Sequence, residues 1–78
     1  MIRLYDNDNE SEIGQISEAQ LDFLQEQLIE EVIDAYTFDL SQASIGSLEL
    51  NGAEAELIVM LRKAIGTRTS MEVRYELD

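Results

Sequence analysis

Met71-Glu72-Val73-Arg74-Tyr75-Glu76-Leu77 decides how this chain folds. Met71, Val73, Tyr75 and Leu77 fall on one side of an extended backbone, and Glu72, Arg74 and Glu76 on the other. Strict period two over that length specifies a strand with one buried and one wet face. Immediately upstream the period changes, because Leu57, Ile58, Met60, Leu61, Ala64 and Ile65 recur at helical spacing. Asn51 with Glu54 forms an N-cap pattern, and Glu54 and Glu56 suit the positive end of a helix dipole. Arg62 and Lys63 occupy the last turn, where cations are favoured, and Gly66 stands at the C′ position. A helix that feeds a strand through the turn at 67–70 can lay its apolar face on the strand.

The N-terminal part supplies the rest of a sheet. Ile2-Arg3-Leu4-Tyr5 reads as a strand, Asp6 to Ser11 as a polar loop, and Glu12 to Ile16 as a second strand with Gly14 at a bulge. Ser17 with Gln20 is a capping box, and Ile16 with Leu21 can form the hydrophobic staple. Leu21, Leu24, Leu28 and Val32 then recur at helical spacing, widened by Ile29 and Ile33, with fraying expected near residues 34–36. Residues 35–39 read as extended. Ser41 caps a short helix carrying Ile45 and Leu48, and a strand over 47–50 is the competing reading.

The expected architecture is one α+β domain over residues 1–78. It has a three-stranded, mainly antiparallel sheet with two or three helices on one face, in the order ββααβ. A chain of 78 residues makes one domain and buries only about 60% of its unfolded surface.

Composition excludes several classes of chemistry. The chain has no Cys, His, Trp or Pro. Disulfides, Cys- or His-ligated metals and Ser–His–Asp or Cys–His centres are therefore out of reach. No apolar run nears the roughly 18 residues of a membrane span. The opening residues lack the apolar core of a signal peptide, so a cytoplasmic location is expected.

Charge is unevenly placed. The net charge is −12, and between Arg3 and Arg62 no basic residue answers fourteen acids. Such a balance repels nucleic acid and anionic membranes and strains the compact state at low salt. On the first helix Asp22, Glu26 and Glu30 stand at i, i+4 and i+8, where each like-charge pair costs about 0.2–0.5 kcal/mol. They read as solvated acids rather than an acid–base pair, which would need two carboxyls in contrasting environments. Asp6 to Ser17 invites comparison with a calcium loop, but position 6 is Ser11 rather than Gly and position 12 is Ser17 rather than Glu. A solvated hairpin loop is the expectation, with weak cation binding left open. Tyr75 belongs with the core residues, and Tyr5 falls on the open sheet face. Arg62 and Lys63 are explained by the helix dipole, Arg74 by charge alternation, and no Gly-rich loop supports a phosphate site.

The segments Ile2-Arg3-Leu4-Tyr5-Asp6, Ile13 to Leu24 and Leu61 to Tyr75 resemble a group of short bacterial proteins of no assigned role. Some of these carry a galactolipid (galactosyldiacylglycerol) synthase name. The resemblance covers the two terminal thirds and leaves 31–50 unmatched, and it implies no catalytic residues. A sugar-nucleotide transferase of the doubly wound kind needs a larger chain, so that activity is not expected here.

The expected function is therefore non-catalytic: a protein–protein interaction module with a partner of basic surface and no cofactor. The candidate face comprises Asp22, Glu26, Glu30, Tyr5 and Arg74. The alternatives are a homodimer joined through strand edges and an acidic mimic that occupies a basic groove.

Overall fold

The computed structural model describes residues 1–29, 32–34 and 36–77, with 32–34 given by their backbone path. The described elements are β1 (Ile2–Asp6), β2 (Ser11–Ile16), α1 (Glu18–Gln27), β3 (Val32–Asp34), β4 (Thr37–Ser41), α2 (Gln42–Leu50), α3 (Ala55–Ile65) and β5 (Ser70–Leu77). The five strands lie in the order β2-β1-β5-β4-β3, and every neighbouring pair is antiparallel.

One core joins the helices to one face of the sheet. Leu4, Leu40, Met71 and Val73 from the strands meet Leu24 of α1, Ile45 and Leu48 of α2, and Leu57, Leu61 and Ile65 of α3, all essentially without solvent contact. The alternation of the last strand holds through Tyr75. Leu77 departs from it and is 62% exposed, although its cross-strand partner Ile2 is buried.

The α+β class stands, but the sheet has five strands rather than three and the order is ββαββααβ. The difference arises after α1. The helix stops at Gln27, with Leu28 closing it through an N–H to Leu24 O, instead of running on past Val32. Leu21, Leu24 and Leu28 are buried as expected, whereas Ile29 is 71% exposed and is no part of the stripe. No basic residue sits in the last turn to steady its carboxylates or its dipole. Val32 and Ile33 are β-branched, and so suit a strand as well as the helix their spacing imitates. The strands β3 and β4 pair antiparallel through Val32↔Phe38, and β4 then pairs with β5 through Phe38↔Val73 and Leu40↔Met71. Glu30, Glu31, Ala35 and Asp78 lie outside the described residues.

Local signals explain the remaining elements. Ser17 Oγ accepts the Gln20 N–H at 3.1 Å while Gln20 Oε1 accepts the Ser17 N–H at 2.8 Å, so the capping box forms as expected. Ser17→Ala is expected to cost about 1 kcal/mol, read as a lower urea midpoint; an unchanged midpoint would show the cap to be idle. Residues 42–50 are helical, capped by Ser41 Oγ on the Ser44 N–H at 3.0 Å. The cap expected at Asn51 is not made. Asn51 closes α2 and donates from Nδ2 to Gln27 Oε1 at 2.9 Å, whereas Glu54 precedes α3 without a side-chain cap bond. Gly66 ends α3 at φ +59°, a backbone region other residues seldom adopt.

The bulge in β2 falls one residue from Gly14. Leu4 pairs with Gly14 and Tyr5 with Glu12, so Ile13 is the extra residue, and it packs against the core. Gly14 has a different role, since a Cβ there would stand 2.8 Å from Met60 Sδ on α3. Glu10 holds φ 58° in the loop between β1 and β2. Glu10→Gly is expected to raise stability by about 0.5–1 kcal/mol, measured by thermal melting. A lower melting temperature would contradict it.

Candidate protein-interaction site

The expected face is split between two surfaces. The row Leu21, Leu24 and Leu28 fixes α1 against the sheet, and this turns Asp22 and Glu26 outward on successive turns. Glu30, the third acid of the series, lies outside the described residues. Tyr5 and Arg74 lie on the opposite surface, the sheet face that carries no helix. They are direct cross-strand partners, and the Arg74 guanidinium stands 4.8 Å from the centre of the Tyr5 ring. Arg74 Nη1 also donates to Glu76 Oε2. The structure thus joins Tyr5 to Arg74 and puts the full thickness of sheet and core between them and the α1 acids.

The two surfaces differ in charge. On the sheet face Arg3 and Arg74 interleave with Glu12, Asp39, Glu72 and Glu76, and Arg3 itself pairs across the strands with Glu76 and Gln15. On α1 Glu18, Asp22 and Glu26 are exposed and join no ion pair among the described residues. Three cations are engaged elsewhere, Arg62 with Glu49 of α2 at 3.0 Å, Arg74 with Glu76, and Arg68 with Asp6 and Asp8.

Phe23, which the periodicity did not single out, is half-buried beside those acids. It lines a cleft of about 200 Å³ with Ala19 and Gln20 of α1, Gly52, Ala53 and Glu54 of the α2–α3 connection, and Leu57 of α3. The available signal was a large apolar residue standing off the Leu21–Leu24–Leu28 row, on the side facing Gln20 and Gln27.

Asp6 corrects the loop expectation. It ends β1 on the inner face and is only 2% exposed, so it is no solvated loop acid. Arg68, just past α3, donates from Nη2 to Asp6 Oδ2 at 2.5 Å and to Ala64 O at 2.7 Å, while its Nε reaches Ile65 O at 3.2 Å. The Asp8 N–H donates to Asp6 Oδ1, and the Glu72 N–H donates to Asp8 Oδ2. Asn7 completes the tie through its N–H on Glu72 O and its Nδ2 on Glu72 Oε2. Burial alone pushes the Asp6 carboxyl up. The Arg68 hydrogen bond, the Asp8 N–H, the Arg68 charge and the Asn9 N–H together outweigh it and hold the group below its ordinary 3.8. Both Asp6 oxygens and Asp8 Oδ2 are thus already committed to protein donors.

Tyr75 lies on the core side, where Gln25 Nε2 donates to its hydroxyl at 3.1 Å and the Tyr36 ring meets it edge-on at 5.5 Å. Among the described residues no group of three or more acids is disposed to hold a metal ion. No helix among them is long and apolar enough to cross a membrane.

Fold and site together define a small α+β protein whose five-stranded antiparallel sheet carries an acidic helix layer on one side. No family model, curated protein or solved structure matches the chain.

Proposed function

We propose that the protein is a non-catalytic cytoplasmic module that works by contact with another protein, and that its helix layer receives a partner with a basic surface. The row of exposed α1 carboxylates, which join no ion pair among the described residues, supports this reading. Glu18 and Asp22, and Asp22 and Glu26, stand one helical turn apart, a cost a cationic surface relieves. The buried carboxylate Asp6 is engaged on both oxygens by Arg68 and the Asp8 amide, which suits a structural role. The likeness of the chain's ends to short bacterial proteins adds neither substrate nor partner, and a basic groove that normally holds nucleic acid is one surface such a partner can present.

The test offers a native lysate to the immobilised chain and to the double variant Asp22→Lys, Glu26→Lys. Basic proteins should be retained by the original chain at low salt, released at high salt, and lost by the variant. Equal retention by both chains ends the proposal.

A homodimer is the second reading, favoured by the uncovered sheet face on which Tyr5 and Arg74 are only half-exposed. The edges suit it less. The bulge at Ile13 interrupts one edge strand, and the other, β3, has three residues. Light scattering over a concentration series decides it, since a constant monomer mass removes the dimer.

A further inference from the structure

The cleft beside Phe23 combines two properties that define a ligand. Its floor is apolar and made largely of small side chains, Ala19 and Ala53 around Phe23 and Leu57. Its borders are acidic. Glu54 lines it directly, and Asp22 and Glu26 follow Ala19 and Phe23 by three residues, which makes them surface neighbours on α1. Glu56 follows in the first turn of α3. The nearest cations of α3, Arg62 and Lys63, are in its last turn, about 12 Å along the axis from Glu54, and Arg62 is held by Glu49. A nonpolar slot inside an anionic border complements a segment with the opposite arrangement.

We infer that this cleft seats a basic amphipathic segment of a partner protein, which inserts one large apolar side chain between α1 and the α2–α3 connection and sets Lys or Arg side chains against Asp22, Glu26 and Glu54. The inference rests on the reading above and adds the site and the partner's chemistry to it. Helix-in-groove recognition works in this manner, with an apolar anchor for affinity and rim charges for orientation and encounter rate.

Two labelled helical peptides of equal charge serve as probes, one of Lys and Leu and one of Lys and Ala, titrated by fluorescence anisotropy at low salt. The Lys/Leu peptide should bind about tenfold more tightly, the gain of one seated apolar side chain. Ala19→Trp fills the slot from an exposed helical position; it should erase that preference and leave Lys/Ala binding as it was. Asp22→Lys with Glu26→Lys should weaken both peptides by about tenfold or more. Amide shifts of the unaltered chain should centre on Ala19, Phe23, Ala53 and Leu57, a measurement that depends on no variant. Equal affinity for the two peptides, or shifts centred on Tyr5 and Arg74, overturns the cleft while charge-driven binding stands. If neither peptide binds, the proposed function falls with it.

Discussion

Replacing Arg68 by Met is expected to destabilise the protein more than replacing Asp6 by Asn, although the two side chains share one hydrogen bond. The asymmetry follows from where each charge sits. Asp6 is buried, whereas Arg68 keeps about a third of its side chain in solvent. Removing Asp6's charge leaves Arg68 able to reach water and still bonded to Ala64 O and Ile65 O. Removing Arg68 strands an ionised carboxylate inside the fold, the more costly of the two losses. Asp6→Asn should cost about 2 kcal/mol, the range for a charged hydrogen bond. Its pH dependence has a defined sign. The folded protein holds Asp6 below 3.8, so its contribution is fully present above the unfolded value and is lost as the pH falls through the lower folded value. The stability gap between the original chain and Asp6→Asn should therefore be constant near neutrality and narrow below about pH 4. Urea unfolding across that range measures it. A gap that widens on acidification, or an Arg68→Met loss smaller than that of Asp6→Asn, would refute this account of the clamp.

Leu24→Ala is expected to cost about 3 kcal/mol, a large share of the roughly 4–12 kcal/mol available to a domain of this size. Leu24 has no solvent contact and stands at the centre of the buried leucine row of α1. The acids on the opposite side of that helix work against it, so the loss should be most damaging at low salt and partly recovered as salt screens them. Helical circular dichroism followed through urea titrations at two salt concentrations tests both parts. A loss under about 1 kcal/mol, or no dependence on salt, would mean that α1 is held by something other than its leucine row.

These outcomes also mark what could be read from the residues. Strict alternation at Met71–Tyr75, the box at Ser17 and Gln20, and the leucine row are local patterns, and each appears in the fold as expected. The end of α1 was not legible, because neither Gly nor Pro marks it and Val32 extends the helical spacing by one more step while standing in a strand. The burial of Asp6 was hidden for another reason. Its partner is Arg68, and only the closing of β1 onto β5 brings the two together. Of the candidate face, Asp22 and Glu26 were readable from spacing alone, and Tyr5 and Arg74 from alternation. Their separation onto opposite layers depends on the sheet, and the cleft at Phe23 depends on where the α2–α3 connection crosses α1.

The pairing of β1 with β5 has a consequence for synthesis. Ile2 lies opposite Leu77, so β1 finds its inner neighbour only after β5, more than sixty residues later in sequence, has been made. Until then the β1–β2 hairpin and α1 have no central strand to dock on, and their leucines face water or a chaperone. The sheet accordingly closes around β5 only once that strand is available to both β1 and β4.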